Sequence, residues 1–245
     1  MLTCCMTPVL YAGGLTFTST AQQNSVIELY TSEGCSSCPP AEAWLNKQLL
    51  SDKLWHQVIP VAFHVTYWDY LGWSDVFAQR AFDQRQRRLA QKNATGVYTP
   101  GVFLNGAEWR SWRRFPDGPP ERTAPNVGQL TAKLTPAQTS VIQATFNPTH
   151  ITDQVLYLDS VLLDTQLNTQ VRAGENRGRR LTHQFVARHL QTASMRRNGQ
   201  EYTGQLRLPE TWRHHHAISI WVRTGDGEVL QATGGWLPET LMKRP

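Results

Sequence analysis

The 245-residue sequence predicts an α/β domain followed by an all-β sandwich domain. Apolar strands alternate with helices over residues 22–136, an order that is typical of α/β domains. From about residue 137 onward, short alternating or apolar runs are separated by turn sequences, as in β-sandwiches. A Cys-x-x-Cys pair, Cys35 and Cys38, lies at the first junction between a strand and a helix.

The composition is that of a globular protein, with 40% hydrophobic and 18% charged residues. No apolar run reaches the roughly 18 residues of a membrane span, so no stable span is expected. The net charge of +5 comes mostly from arginine. No nucleic-acid-binding motif accompanies these arginines, so we expect a solvated basic surface and no nucleic-acid partner.

Residues 1–21 contain no charged side chain and end in Ser19-Thr20-Ala21, small residues that resemble a signal-peptidase site. A positively charged start is missing and Gly13-Gly14 interrupts the apolar stretch. We expect an atypical signal segment and a periplasmic or secreted protein. The alternative is a disordered tail. Without this leader, Cys35 and Cys38 would be the only cysteines, because Cys4 and Cys5 lie within it.

The first strand is predicted over Ser25–Tyr30 and the first helix over Cys38–Leu50. Pro39 and Pro40 fit the first helical turn, where the N–H groups have no intrahelical partner. Val58–His64 is apolar throughout except at Pro60, which predicts a parallel strand covered on both faces.

Further along the chain, an aromatic connection over Val65–Asp75 precedes a helix predicted over Phe77–Gln91. Val97–Gly106 predicts a turn, a strand and a hairpin corner, with Ala107–Trp112 as the partner strand. Val127–Leu134 is predicted as a short helix. The strands of the second domain, residues 137–245, are predicted over Thr139–Asn147, Gln154–Asp164, Gln205–Leu208, Ala217–Arg223 and Val229–Thr233.

The two cysteines are spaced so that their sulfurs can meet within one helical turn. The helix N-terminus favours a thiolate at Cys35, which we expect to be exposed and to attack, while Cys38 resolves the mixed disulfide. Such a redox-active disulfide needs no organic cofactor. A metal site is the alternative, but zinc usually takes about four ligands. The only other ligand cluster, His214-His215-His216, is distant in sequence and reads as a solvated strand face. A permanently closed structural disulfide is a third possibility.

These features together resemble the thioredoxin fold, in which a Cys-x-x-Cys follows the first core strand and a cis-proline precedes the third. Pro100, after Thr99, matches that proline. More narrowly, Glu28–Pro40, Phe63–Trp73 and Val97–Pro100 resemble an uncharacterised, mostly bacterial, secreted thioredoxin-like family of unknown function. Gly174–His183 extends the resemblance into the second half. The resemblance implies a fold and an exported compartment, but no substrate.

The resemblance also implies roles for individual residues. Glu28, which interrupts an apolar strand, would take the proton of the resolving cysteine. The alternative is a solvated glutamate. Thr99 and Pro100 would face the sulfurs and pair with an extended peptide.

Several side chains are expected near the cysteines because they follow the second strand at the same end of the sheet. Trp68, Tyr70 and Trp73 would contact a substrate peptide or shield the disulfide, or else form a packed loop or an interface with the β domain. His64 and Asp69 are a candidate acid–base pair. Gly174–His183 is interpreted as a loop against the redox domain, an anion site or a plain basic hairpin.

The leading hypothesis is a thiol–disulfide oxidoreductase that exchanges with a protein thiol or disulfide partner, with Cys35, Cys38 and Glu28 as its catalytic residues and no metal. Two alternatives remain open. The cysteine pair could bind Cu(I) or Zn(II), which soft thiolates suit. The first domain could also be a non-catalytic binding module.

Overall fold

The computed structural model describes residues 14–120, 124–135 and 140–239. Its two α-helices are α1 (Pro39–Asn46) and α2 (Arg80–Lys92), and 3-10 helices span Lys47–Leu50, Thr66–Leu71, Arg110–Arg114 and Glu210–His214. The strands are β1 (Leu15–Thr18), β2 (Ser25–Thr31), β3 (Val58–His64), β4 (Gly101–Leu104), β5 (Ala107–Glu108), β6 (Gly128–Thr135), β7 (Val141–Pro148), β8 (Tyr157–Asp164), β9 (Leu167–Gln170), β10 (Arg180–His183), β11 (Val186–Ser194), β12 (Arg196–Asn198), β13 (Glu201–Arg207), β14 (Ala217–Arg223) and β15 (Val229–Trp236). Within the described ranges, no helix combines the length and apolar character needed to cross a membrane.

An eight-stranded sheet runs through both predicted domains in the order β15-β14-β8-β11-β3-β2-β4-β5. Strands β2 and β3 are parallel, and β4 and β5 continue the sheet antiparallel to β2 and to each other. On the other side, β11 pairs with β3 in parallel, and β8, β14 and β15 follow as antiparallel neighbours. The two halves of the chain therefore share one sheet.

A five-stranded sheet, ordered β1-β6-β7-β13-β12, packs on the part of the large sheet that contains β8 and β14. The core between them joins side chains of both sheets, among them Leu130, Phe146, Leu162 and Ile220. Strands β9 and β10 form a separate two-stranded hairpin.

The helices α1 and α2 cover opposite faces of β2. Thr31 of β2 contacts Glu42 of α1, whereas Glu28 of the same strand contacts Arg85 of α2. Because side chains alternate along a strand, residues three apart lie on opposite faces. The main core lies on both faces of this sheet, with Leu45 of α1 and Phe82 of α2 among its buried side chains.

The elements with the strongest apolar pattern match the predictions. Strands β3 and β14 have the predicted bounds, and β2 is one residue longer than predicted. The helix predicted over Cys38–Leu50 is divided into α1 and a 3-10 turn, and α2 begins three residues later than predicted.

Two element predictions are wrong. Val127–Leu134 is not a helix but lies mostly in β6, because Leu130, Ala132 and Leu134 are buried at every second position, the period of a strand. In Ala107–Trp112, only Ala107–Glu108 is a strand, and a 3-10 helix follows.

The predicted domain limits do not coincide with the sheets. The boundary between residues 136 and 137 falls between β6 and β7, which are neighbours in one sheet. Strand β1 lies inside the segment 1–21 predicted as an atypical signal and pairs with β6. Residues 1–13 of that segment, which include Cys4 and Cys5, lie outside the described residues.

Candidate functional site

Cys35 and Cys38 form a disulfide directly before α1, with their Cα atoms 5.5 Å apart. The chain leaves β2 through a turn in which the N–H of Cys35 donates to the carbonyl of Ser32. Ser36 and Ser37 are exposed, but both cysteines are fully buried. The predicted exposure of Cys35 is therefore wrong, because other parts of the chain cover it.

One of these parts is Gly174–Gly178, which we call the cover segment. The amide of Asn176 donates to the carbonyls of Glu33 and Cys35, both at 2.9 Å. The carboxylate of Glu175 accepts from the N–H of Ser36 at 2.9 Å, and hydrogen bonds from the Ser36 side chain and backbone lower the pKa of Glu175. Gly174–His183 combines two of its interpretations: the cover segment is a loop packed against the first half, and Arg180–His183 is β10 of the hairpin with β9.

Trp68 and Thr99 lie on another side of the cysteine turn. The indole N–H of Trp68 donates to Thr99 Oγ1 at 2.7 Å. A Cβ atom on Gly34 would lie 3.1 Å from the Trp68 Cβ, so the glycine allows this close approach. The Thr99–Pro100 peptide bond is cis, as the sequence predicts.

An open groove of 490 Å³ connects the cysteine turn to Pro100. Ser37, which lies between the two cysteines, forms one part of its wall. Aromatic and basic side chains line the remainder: Tyr98, Trp109, Arg110, Trp112 and Arg113. The groove therefore offers stacking surfaces and positive charge directly beside the disulfide.

The other two predicted substrate contacts, Tyr70 and Trp73, lie in different surroundings. Tyr70 is 78% exposed. Trp73 instead donates its indole N–H to the carboxylate of Glu33 at 2.7 Å, so its polar group is used within the protein.

Glu28 is neither solvated nor directed toward α1. Its two carboxylate oxygens accept from Arg85 at 2.7 and 2.8 Å, and the hydroxyl of Tyr30 donates to it at 2.8 Å. Glu28 lies on the face of β2 that α2 covers, whereas Cys38 precedes α1 on the other face. The Glu28 carboxylate therefore forms a buried ion pair with Arg85. The structure does not place it at the disulfide.

A buried cluster of acids and histidines lies behind the cysteine turn. His183 contacts Glu42 through Nδ1 at 2.5 Å and Glu33 through Nε2 at 3.1 Å. Burial opposes the charge of His183, but the two glutamates outweigh burial and raise its pKa to about 10. Burial likewise opposes the charge of Glu42, and the hydrogen bond from His183 lowers its pKa below the ordinary value.

His64 belongs to the same cluster, but its partner is Asp75 rather than the predicted Asp69. His64 Nδ1 lies 2.7 Å from Asp75 Oδ2, and the N–H of Glu33 also donates to that oxygen. Burial alone would raise the pKa of Asp75, but the His64 ring and the backbone donors outweigh burial and lower this pKa below its ordinary value. Asp69 accepts a hydrogen bond from the N–H of Asp75.

Sequence reasoning missed Glu42, Asp75 and His183 as a group. Each is separated from its partners in sequence; His183 is 141 residues from Glu42. One local signal was present, since Glu42 is an acid one helical turn after Cys38 on an otherwise apolar helix face. His183 ends the segment that the resemblance singled out, but nothing in the sequence pairs it with Glu42.

The histidines at 214–216 do not belong to this cluster. His215 and His216 contact the carboxylate of Asp164 at 2.9 and 3.5 Å, and His214 is exposed.

Comparison with known proteins gives a family and a fold. The profile of a family described as a protein of unknown function, DUF1223, matches residues 26–223. An X-ray crystal structure of an Agrobacterium tumefaciens protein from a structural genomics consortium is 21% identical, with 91% of this chain and 99% of that chain covered and a TM-score of 0.60. HBP35 of Porphyromonas gingivalis is 16% identical over 90% of this chain and 77% of its own, with a TM-score of 0.62. These likenesses show a shared fold alone. No curated protein matches.

Proposed function

Because the chain belongs to the DUF1223 family, whose function is unknown, we propose a function from its own site: thiol–disulfide exchange with a protein partner at Cys35 and Cys38. The observation that carries the proposal is the disulfide between these cysteines at the start of α1, beside the groove at Pro100. Fold likeness alone does not assign an activity, so the proposal depends on this chemistry.

The strand order supports a thioredoxin-like unit, which is part of the proposal. Strands β3, β2, β4 and β5 are adjacent in this order, with β2 and β3 parallel and β4 antiparallel to β2. The disulfide follows β2, and the cis bond before Pro100 precedes β4. This is the placement that the resemblance to thioredoxin-like proteins implies.

The proposed reaction transfers two electrons between a partner dithiol and the cysteine pair. A partner thiolate attacks the Cys35 sulfur, the Cys35–Cys38 bond breaks, and Cys38 leaves as a thiolate that takes up a proton. The second partner thiol loses its proton and attacks the partner sulfur of the mixed disulfide, which releases Cys35. The partner is oxidised and the pair is reduced; with a disulfide partner the same steps run in reverse.

Access to the sulfurs requires a movement of their surroundings. Both cysteines are buried, beneath hydrogen bonds from Asn176 and next to Trp68. The exposed Ser37 and the groove at Pro100 give a partner chain a place to dock before the sulfurs open. An extended partner segment with acidic and aromatic side chains would complement Arg113 and Trp109 in that groove.

We include an exported location in the proposal, since a disulfide persists most readily in the periplasm or outside the cell. Residues 1–21 carry no charged side chain and end in small residues, but β1 belongs to the folded sheet, so only the residues before β1 could act as a leader.

The test is an exchange assay with two cysteine variants. Wild type should reduce insulin disulfides or oxidise a model dithiol, and Cys35→Ser should be inactive. Cys38→Ser should retain a partner as a mixed disulfide, because the resolving sulfur is missing. Ser194→Ala, at an exposed serine that ends β11, is the control and should leave the rate unchanged. Equal activity of wild type and Cys35→Ser would refute the proposal.

The burial of both cysteines specifically favours one alternative, a binding module with a permanently closed disulfide. Titration against redox buffers separates the two. A reduction potential between about −120 and −270 mV, the range of known exchange proteins, supports the enzyme. A disulfide that stays closed far below this range supports the module.

A further inference from the structure

Three buried side chains from separate parts of the chain converge behind the cysteine turn. Glu42 lies on α1, His64 ends β3 and His183 ends β10. One ligand-type atom of each side chain lies within 4.8 Å of those of the other two. All three side chains are at least nine-tenths buried. Two imidazoles and a carboxylate are a ligand set that proteins use for zinc.

Each of these side chains is oriented from behind by a second residue. His64 Nδ1 is held by Asp75 at 2.7 Å, and His183 Nε2 by Glu33 at 3.1 Å. The hydroxyl of Thr31 donates to Glu42 Oε1 at 2.5 Å. Metal-binding histidines commonly donate their second ring N–H to a carboxylate in this way, which fixes the ring and leaves the other nitrogen as the ligand.

The side-chain atoms that these orienting residues do not hold are the ones that a metal ion would bind. His64 Nε2 is buried and has no hydrogen-bond partner among the described residues. A buried nitrogen without a partner is costly and calls for an explanation. In the tautomer that donates its Nδ1–H to Asp75, Nε2 presents the lone pair to a ligand. His183 Nδ1 and Glu42 Oε2 contact each other at 2.5 Å.

From this arrangement we propose that Glu42, His64 and His183 form a binding site for a divalent metal ion of the zinc class. The ligands are Glu42 Oε2, His64 Nε2 and His183 Nδ1, and a fourth position stays open for a small ligand. Ion binding replaces the hydrogen bond between His183 Nδ1 and Glu42 Oε2, and the proton of that bond is released to solvent. Two tetrahedral zinc ligands at about 2.0 Å lie about 3.3 Å apart, so these two atoms need to separate by about 0.8 Å.

This site is distinct from a metal site on the cysteine pair. None of its ligands is a sulfur, so it is complete while Cys35 and Cys38 remain joined. The proposed exchange reaction uses no metal, so it does not depend on this site. Loss of metal binding and loss of exchange activity are therefore separate results.

The experiment measures Zn²⁺ and Co²⁺ binding to the full-length, disulfide-closed protein after long equilibration, because the buried site fills only through local opening. We expect one ion per chain. X-ray absorption at the zinc edge should show nitrogen and oxygen ligands without sulfur. This spectrum needs no variant, so it tests the site even if a substituted protein fails to fold.

Variants then assign the ligands. His64→Gln should lower the affinity by about 100-fold or more, and Asp75→Asn by about 10–100-fold, as for other residues that orient a metal ligand. His56→Gln, an exposed histidine outside the cluster, is the matched control and should bind as wild type does.

Three results would overturn the proposal: no saturable binding to the closed protein, sulfur in the metal's coordination shell, or unchanged affinity in a folded His64→Gln protein. Binding that arises only after reduction of the disulfide would assign the ion to the cysteines instead.

Discussion

Asn176 connects the cover segment to the cysteine turn. Its one amide group holds two carbonyls of the cysteine turn, those of Glu33 and Cys35, and it is fully buried. Arg179 donates to the amide oxygen of Asn176 at 3.1 Å and so fixes its orientation. A residue from the second half of the chain thus bonds directly to the cysteine turn in the first half.

Replacing Asn176 by alanine should make the disulfide easier to reduce. The change removes two hydrogen bonds, each with a net contribution of about 0.5–1.5 kcal/mol, so local opening becomes more frequent. We expect the rate of reduction by dithiothreitol to rise about 10-fold, measured by thiol titration of the native protein. Asn198→Ala, an exposed asparagine in β12, is the control. An unchanged rate in Asn176→Ala would show that the cover segment does not limit access.

The hairpin between β4 and β5 connects the two halves at the opposite end of β2 from the cysteines. Asn105 and Gly106 both have positive φ, at 51° and 82°, as a two-residue type I′ turn requires. Asn105 bonds the backbone of Val26 through its own N–H and its side chain, and its carbonyl accepts from Val229 of β15. The turn therefore joins β2 to the second half.

Gly106→Ala should destabilise the protein. A Cβ at this position would lie 2.1 Å from the carbonyl oxygen of Gly227, and the positive φ disfavours any side chain. We expect a loss of about 1–3 kcal/mol in the free energy of unfolding, measured in urea.

The matched control for this change is Gly96→Ala, since nothing lies within 4 Å of a Cβ at that position. This control should shift the free energy of unfolding by less than about 0.5 kcal/mol. Equal stability of the two variants would contradict the role assigned to the turn.

Elements with a strong local pattern could be predicted, and contacts distant in sequence could not. Strand β3 is apolar along its length, so its bounds were predicted correctly. Strand β6 was mistaken for a helix because its short apolar alternation was not recognised as a period of two. The two-residue hairpin corner at Asn105-Gly106 was predicted because its turn chemistry is local.

The residues of the site also divide into those that a local motif identifies and those whose partners are distant in sequence. Cys35, Cys38 and Pro100 could be identified because motif and resemblance place them. The partners of Glu28 could not, since Arg85 is 57 residues away and no pattern links an interrupted strand to one arginine of an arginine-rich helix. The burial of Cys35 was missed because Asn176, 141 residues distant, supplies it.

Across the whole molecule, a buried group of charges joins the two halves. Arg85 of α2 contacts Glu28 in β2 and Asp159 in β8, and Asp159 also accepts from Arg223 of β14 at 2.7 Å. Burial raises the pKa of Asp159, but the two arginines outweigh burial and lower it below 3.8. Removing one member of such a group leaves an unpaired buried charge, which typically costs about 3–5 kcal/mol.

Asp159→Asn should therefore destabilise the protein at neutral pH and less so in acid. A carboxyl whose pKa is lowered on folding contributes stability above its unfolded pKa of about 3.8, and this contribution is lost as the pH falls through the folded value. Urea unfolding should show wild type about 3–5 kcal/mol more stable at pH 7, with a smaller difference at about pH 3.

The matched control is Asp153→Asn, an exposed carboxylate with only a 3.5 Å contact to Arg197. It should leave the free energy of unfolding nearly unchanged at both pH values. A stability difference between wild type and Asp159→Asn that does not vary with pH would contradict the assigned ion pairs.

The shared eight-stranded sheet has a consequence for recombinant fragments. A polypeptide that ends near residue 136 would lose β11 and the preceding Phe185, and the backbone of Ala62 in β3 would lose its partner. It would also separate β1 and β6 from β7 and leave Arg85 without Asp159. Unpaired strand edges promote self-association, so the first half expressed alone should aggregate, and crosslinking or sedimentation of that fragment would reveal it.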